Sequence, residues 1–354
     1  MHRFILVTAV ATFLLLGSGG MVTSHEAGMS VPDWPNTYGY NMFAFPFSKW
    51  VGGIFYEHTH RLLASGIGLL TTVLAVWLWF KDSRRWMRWL GGLAFVLVSL
   101  QGVLGGLRVT LDMDKLGIVH GALAQLFFVL ICALALFTSR SWQNQAEAGS
   151  SPPAAGMSEA SLPALQNLKW LVLATTILIF LQLVLGATMR HQHAGLAIPD
   201  FPTAYGKIWP DTSAAAVAHY NEHRMSVIAE NPITAAQIIL QMVHRIVALV
   251  IFMGVVVSMQ LAWRRLGRRD PLTRLTVFWL ALIAGQIALG AWTIWSNKAA
   301  DVATAHVLVG ALSLVTGVLW YAVAFHRLEP LSRIEPAGTI PGAFGAHPAM
   351  VGNK

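Results

Sequence analysis

The chain has 354 residues, of which 55% are apolar and only 11% charged, with a formal net charge of +8. That balance excludes an ordinary soluble domain and places the protein among integral membrane proteins. Its basic excess lies mostly in short loops on one side of the apolar segments, so it reads as a topology signal and not as a nucleic-acid footprint. The single cysteine, Cys132, sits inside an apolar run, which rules out an intrachain disulfide, a thiolate metal centre and a CxxC redox pair.

Eight apolar segments predict membrane-spanning helices: 4–22, 56–80, 89–107, 116–137, 170–189, 238–263, 275–295 and 302–325. Each has about 19 residues or more, enough for a helix to cross roughly 30 Å of hydrocarbon. The fold expected is an all-α integral membrane protein. The first segment, with its basic "MHR" start, imitates a secretory signal; it is kept as a span because it has a counterpart later in the chain. Arg3, "KDSRR" with Arg88, Arg140, Lys169 and "RRLGRRDPLTR" (264–274) share one side. That side should be cytoplasmic and hold both termini, as in a bacterial inner membrane protein. Two long loops, 23–55 and 190–237, face the other way. Low-complexity stretches at 144–164 and from about Leu328 read as a disordered linker and tail.

Internal similarity then divides the chain. "EAGMSVPDWPNTYG" (26–39) and "HAGLAIPDFPTAYG" (193–206) share A-G-x-x-x-P-D-[WF]-P-x-x-Y-G. "THRLLA" (59–64) answers "VHRIVA" (243–248), "SLQGVLGG" (99–106) answers "AGQIALGA" (284–291), and "VHGAL" (119–123) answers "AHVLV" (305–309), all in the same order. Four spans per half give both halves one orientation, a parallel repeat related by an axis along the membrane normal. The expected organisation is two four-helix bundles, residues 1–143 and 168–327, a linker at 144–167 and a tail at 328–354.

Each half places two histidines near the outer ends of its even-numbered spans: His60 and His120, then His244 and His306. Two imidazoles facing each other inside an apolar bundle suit six-coordinate haem iron, and Gly66, Gly68 and Gly121 leave room for a flat ring. Zinc would ask for more ligands than two histidines per half. Arg61 and Arg245 follow His60 and His244 directly and can pair with anionic propionates or snorkel to water. The two Pro-Asp-aromatic-Pro turns can anchor an aromatic side chain at the interface or cover the two pockets. The halves differ at Glu57, three residues before His60, whose counterpart is Gln241. A carboxyl on the ligand's helical face can move protons and an amide cannot, so the first half reads as reactive and the second as a cofactor holder. His58 should point elsewhere. His191, His193, His219 and His223 in the second loop have HxH and HxxxH spacings that could suggest copper or zinc, but read rather as facing water, and Gln101 and Gln286 as bonds between helices.

Eight spans in two halves, "E-x-x-H-R" at the second span, the doubled loop and four placed histidines resemble the haem A synthase family, from about Arg3 to Phe325. The resemblance implies conversion of haem O to haem A by oxidising a porphyrin methyl group to formyl, for supply to cytochrome oxidases. It implies His60 and His120 around the substrate haem, Glu57 as the catalytic carboxyl, and His244 and His306 on a haem B cofactor. Haem O synthase and oxidase assembly factors are the partners it implies, and membrane lipid the surroundings; no nucleic acid is expected. Some bacterial members of that family carry a cysteine pair in an outer loop, which this chain lacks. A di-haem cytochrome that only carries electrons, or a haem transporter, would need the histidines but not Glu57.

Overall fold

The computed structural model describes residues 1–113, 115–148, 162–223 and 232–332. Its long helices are α1 (His2–Ser24), α2 (Gly52–Lys81), α3 (Arg85–Thr110), α4 (Leu116–Phe137), α6 (Leu162–His191), α8 (Ala235–Leu266), α9 (Pro271–Trp295) and α10 (Ala300–Ser332). These eight are long and apolar enough to cross a membrane, and they contain the eight apolar segments. Two short helices, α5 (Arg140–Ala148) and α7 (Ala214–Glu222), were not expected. α5 occupies the start of the stretch read as a linker and α6 its end, while 149–161 lies outside the described residues. The tail from Leu328 begins as the last turns of α10; residues 333–354 lie outside the described residues.

The helices overrun their apolar segments because local chemistry, not hydropathy, sets their ends. Thr234 and Gln237 form a capping box that starts α8 several residues before the apolar run. Asp270 accepts the N–H of Leu272 and Pro271 opens α9, so that helix begins inside the basic turn. α2 starts at Gly52, which puts Glu57 and His60 within the helix and not at its opening.

Packing follows the repeat. α1, α2, α3 and α4 close a ring of neighbours, each touching the next and α4 touching α1. α6, α8, α9 and α10 close an equivalent ring. The rings meet through α1 on α10, α4 on α6, and α4 on α10, a pattern that exchange of the halves leaves unchanged. Phe128, Ala311 and Val315, with Phe13 and Leu16 against them, fill this seam.

Each ring has its own large apolar core toward one end; a smaller cluster, Ala197, Ile198, Ala204, Ile233, Ile238 and Met242, sits under the second loop. In the first ring the large core comprises Ile5, Ala9, Ile67, Leu74, Leu78, Met87, Ala94, Phe127, Ile131, Leu134 and Ala135. These belong to the parts of the four helices nearest the N-terminus and the short basic turns, here called the basic end. In the second ring Leu165, Leu168, Val172, Ile179, Ile251, Val255, Leu272, Trp279, Leu314 and Trp320 take the same level. Trp279 and Trp320 are fully buried, and their indole N–H groups bond Ser313 O (2.8 Å) and Leu272 O (3.0 Å), so neither leaves a polar orphan. Both cores stop short of the histidines, which lie toward the end that carries the long loops.

Candidate functional site: two histidine pairs under two loops

The loops build the roof of each site, and their motif explains their shape. Asp33 accepts the N–H groups of Tyr38 (2.7 Å) and Gly39 (2.8 Å), and Asp200 those of Tyr205 (2.7 Å) and Gly206 (2.9 Å). Both turns place the Tyr and the Gly at positive φ, 50° at Tyr38 and 76° at Gly39, 52° at Tyr205 and 72° at Gly206; only the glycines adopt this without a Cβ penalty. Tyr38 and Tyr205 donate their hydroxyls to Ser30 O and Ala197 O. For both aspartates partial burial pushes toward protonation, but the backbone N–H groups win and hold the carboxyl below its usual range. A group with a depressed folded value adds stability above its ordinary pKa and loses it as pH falls through the depressed one. Asp200→Ala is expected to cost about 2–3 kcal/mol, the worth of charge-assisted bonds to two N–H groups left unpaired. Thermal unfolding at neutral pH checks this, and the deficit should shrink on acidification.

Helices α2 and α8 clamp the loops. Arg61 donates from Nη1 to Asp33 O (2.6 Å) and Asn36 O (3.1 Å), and from Nη2 to Val31 O (2.8 Å). Arg245 donates to Thr203 O (2.8 Å) and Asp200 O (2.7 Å) and lies over the Phe201 ring. Both guanidinium groups therefore face loop carbonyls, a third arrangement beside the propionate pairing and the snorkelling expected from sequence. Glu57 is only 4% exposed, which excludes a solvated surface carboxylate. Its Oε2 accepts the N–H of Val31 (2.8 Å) and its Oε1 takes Arg61 Nη2 (2.7 Å). Gln241 repeats half of this: its Oε1 accepts the N–H of Ile198 (2.7 Å), and its amide donates to Ile198 O and Gly195 O. Glutamate and glutamine thus share one latch, and only the first is ionisable.

Below the latches sit the histidines, each on a glycine of the neighbouring helix. A Cβ added at Gly19 of α1 would lie 3.1 Å from His60 Cε1, and at Gly105 of α3, 3.6 Å from His120 Cε1. In the second ring the same holds for Gly186 of α6 with His244 (3.4 Å) and Gly290 of α9 with His306 (3.2 Å). All four Nδ1 atoms are buried with no hydrogen-bond partner. With Nδ1 and Cε1 packed away, the exposure that remains falls on the Nε2–Cδ2 edge, the edge a metal-binding imidazole offers. His60 lies within electrostatic reach of His120, and His244 of His306. Gln101 donates to His120 O (3.1 Å) and Gln182 to His244 O (2.8 Å), fixing the backbone that carries each ring. Paired imidazoles, glycine seats and apolar cores that end below them fit a flat iron macrocycle in each ring.

The family model for cytochrome oxidase assembly protein matches residues 2–318. The chain belongs to that family. Among the chain's relatives are proteins named "Heme A synthase". One from Alkalihalophilus pseudofirmus is 22% identical over 334 residues, 90% of this chain and 98% of the relative. One from Halalkalibacterium halodurans is 24% identical over 322 residues, 89% and 95% of the two chains. One from Bacillus cereus is 24% identical over 347 residues, 96% and 98%.

In this family member the glycine seats are the residues that sequence reading missed. Gly66, Gly68 and Gly121, read as making room for a ring, have nothing within 4 Å of an added Cβ, whereas Gly19, Gly105, Gly186 and Gly290 touch the imidazoles. The signal was available, since Gly105 and Gly290 occupy matching places in "SLQGVLGG" and "AGQIALGA". His58 does point elsewhere: it is buried under the first loop, with Nδ1 3.1 Å from Thr37 Oγ1 and its ring against Phe45 and Trp50. The aromatic residues of the loop turns are matched to their seats. Trp34 lies on Gly106, where any Cβ would collide with the indole; the smaller Phe201 packs edge-on to Trp295. Arg190 ties the rings together through Gly20 O (2.9 Å) and Ser24 Oγ (2.8 Å).

Proposed function

We propose that this protein is a haem A synthase, which oxidises a methyl group of haem O to the formyl group of haem A for cytochrome oxidase assembly. In this reading His60 and His120 hold the substrate haem O between α2 and α4. His244 and His306 hold haem B between α8 and α10; when bound, that cofactor supplies one-electron transfer. Arg61 and Arg245 serve the haem sites as clamps that keep the loops seated over them. Glu57 is the catalytic carboxyl, placed three residues from His60 with both oxygens fixed, and it accepts or returns the proton at Oε1 or Oε2. By the positive-inside rule, the basic turns support a reading with both termini in the cytoplasm and the histidine pairs toward the outer face of a bacterial inner membrane. Haem O synthase and other assembly factors are the partners this role calls for.

The observation that carries the reading is the pairing of half-buried imidazoles with buried Nδ1 atoms at one level in both rings, with an ionisable latch in only one. A di-haem cytochrome is the second reading, and one observation favours it: Gln241 makes the loop latch without a carboxyl. Glu57→Gln separates the two, because the amide fits the same latch while it cannot exchange a proton. Expressed in cells that make haem O, the variant should keep its bound pigment and lose at least about 100-fold in haem A, within the range of general acid–base contributions. Normal haem A from this variant would remove the enzymatic role of Glu57 and leave the cytochrome.

A further inference from the structure

The second loop contains a helix that the first loop lacks. α7 (Ala214–Glu222) is capped by Ser213, whose Oγ accepts the N–H of Ala216. It is bolted to the loop by Tyr220, stacked on Tyr205 with ring centres 3.6 Å apart. Asn221 adds a two-way exchange with Ile233, donating to its carbonyl (3.0 Å) and accepting its N–H (2.8 Å). The exposed side of the same turns carries His219, Glu222 and His223.

Positions separated by three and four residues share a helix face. One ligand atom from each of the three residues can be chosen so that all lie within 4.8 Å of one another. The imidazole rings of His219 and His223 are 4.2 Å apart. His223 Nδ1 lies 2.9 Å from His219 O, and since a carbonyl only accepts, Nδ1 carries the proton. That leaves Nε2 with its lone pair facing out. A ring nitrogen pinned on a backbone carbonyl, freeing the other, is the usual support of a metal-binding histidine.

We propose that His219, Glu222 and His223 form a surface site for one divalent transition-metal ion, Zn²⁺ or Cu²⁺, with an open coordination position. Two neutral imidazoles and a carboxylate select such ions over Mg²⁺ and Ca²⁺, which prefer all-oxygen shells. Ligand atoms on one tetrahedral zinc are about 3.4 Å apart, so small rotations of exposed side chains close the site. Because Tyr220 stacks on Tyr205, whose N–H is held by Asp200, the ion would sit on the loop that covers His244 and His306. Nothing in this proposal depends on what those histidines bind.

The test uses the full chain in detergent, stripped with a chelator and titrated by equilibrium dialysis with Zn²⁺ or Cu²⁺, with Mg²⁺ as the comparison. One saturable equivalent is expected, with affinity falling at least about tenfold in His219→Gln or His223→Gln, since losing a ligand costs no less than losing its support. Electron paramagnetic resonance of the Cu²⁺-loaded wild type should show coupling to two imidazole nitrogens, which requires no variant to fold. Absence of saturable uptake, uptake unchanged in the double variant, or Mg²⁺ displacing Zn²⁺ at equal concentration would each overturn the site.

Discussion

Replacing His244 or His306 with alanine is expected to strip pigment from the α6–α10 ring and leave the pigment of the α1–α4 ring in place. His60→Ala and His120→Ala should do the reverse. The rings have separate cores and separate roofs, so loss in one need not unfold the other. Each imidazole supplies one of the two axial bonds, and its removal should weaken haem retention by at least about 100-fold. Haem extracted per mole of purified protein, with the absorption bands of low-spin bis-histidine iron, reads the result. If the four variants gave identical pigment loss, the two-site assignment would be wrong.

Gly290→Leu and Gly19→Leu should damage the sites almost as severely while keeping every ligand. At Gly290 even the first carbon of a side chain lies 3.2 Å from His306 Cε1, and at Gly19 it lies 3.1 Å from His60 Cε1. The remaining three carbons of leucine then have to displace the imidazole or part the helices. Overpacking of this kind costs about 1–3 kcal/mol and moves the ring that must point at iron. The control is Gly92→Ala, near the basic-end start of α3 and away from the histidines, where nothing lies within 4 Å of the added Cβ and no loss of pigment is expected. Pigment content and unfolding temperature of the three variants check the argument together. Intact pigment in Gly290→Leu would show that the seat is not needed to orient His306.

The spans were legible because the bilayer demands long uninterrupted apolar helices, and the repeat was legible because the same motifs recur in the same order. The paired histidines followed from those two facts. What the sequence hid was the bonding of irregular backbone. Arg61 beside His60 reads as a partner for an anion, yet it satisfies three loop carbonyls and a carboxylate. The carbonyl demand of a turn is not written in residue type, since every residue carries one. Glu57 was singled out for its charge; its bond to the Val31 N–H emerged only in three dimensions, and Gln241 shows that this bond needs an oxygen and no ionisation. The glycine seats were only half legible: Gly105 and Gly290 recur at matching places in the repeat, but the imidazoles they seat did not show. A glycine in a membrane helix reads as loose packing, and which neighbour presses on it depends on how the helices meet.

The placement of the apolar cores turns each ring into a well with a floor. Leu74, Leu78, Ile131 and Leu134 plug the first from the basic end; Val255, Leu272, Trp279 and Trp320 plug the second. Water, protons and small reactants are therefore expected to reach the imidazoles by way of the roof or sideways from lipid rather than through the floor. In sealed vesicles of one orientation, a membrane-impermeant reductant or acid pulse would act on such a chain from a single side of the bilayer.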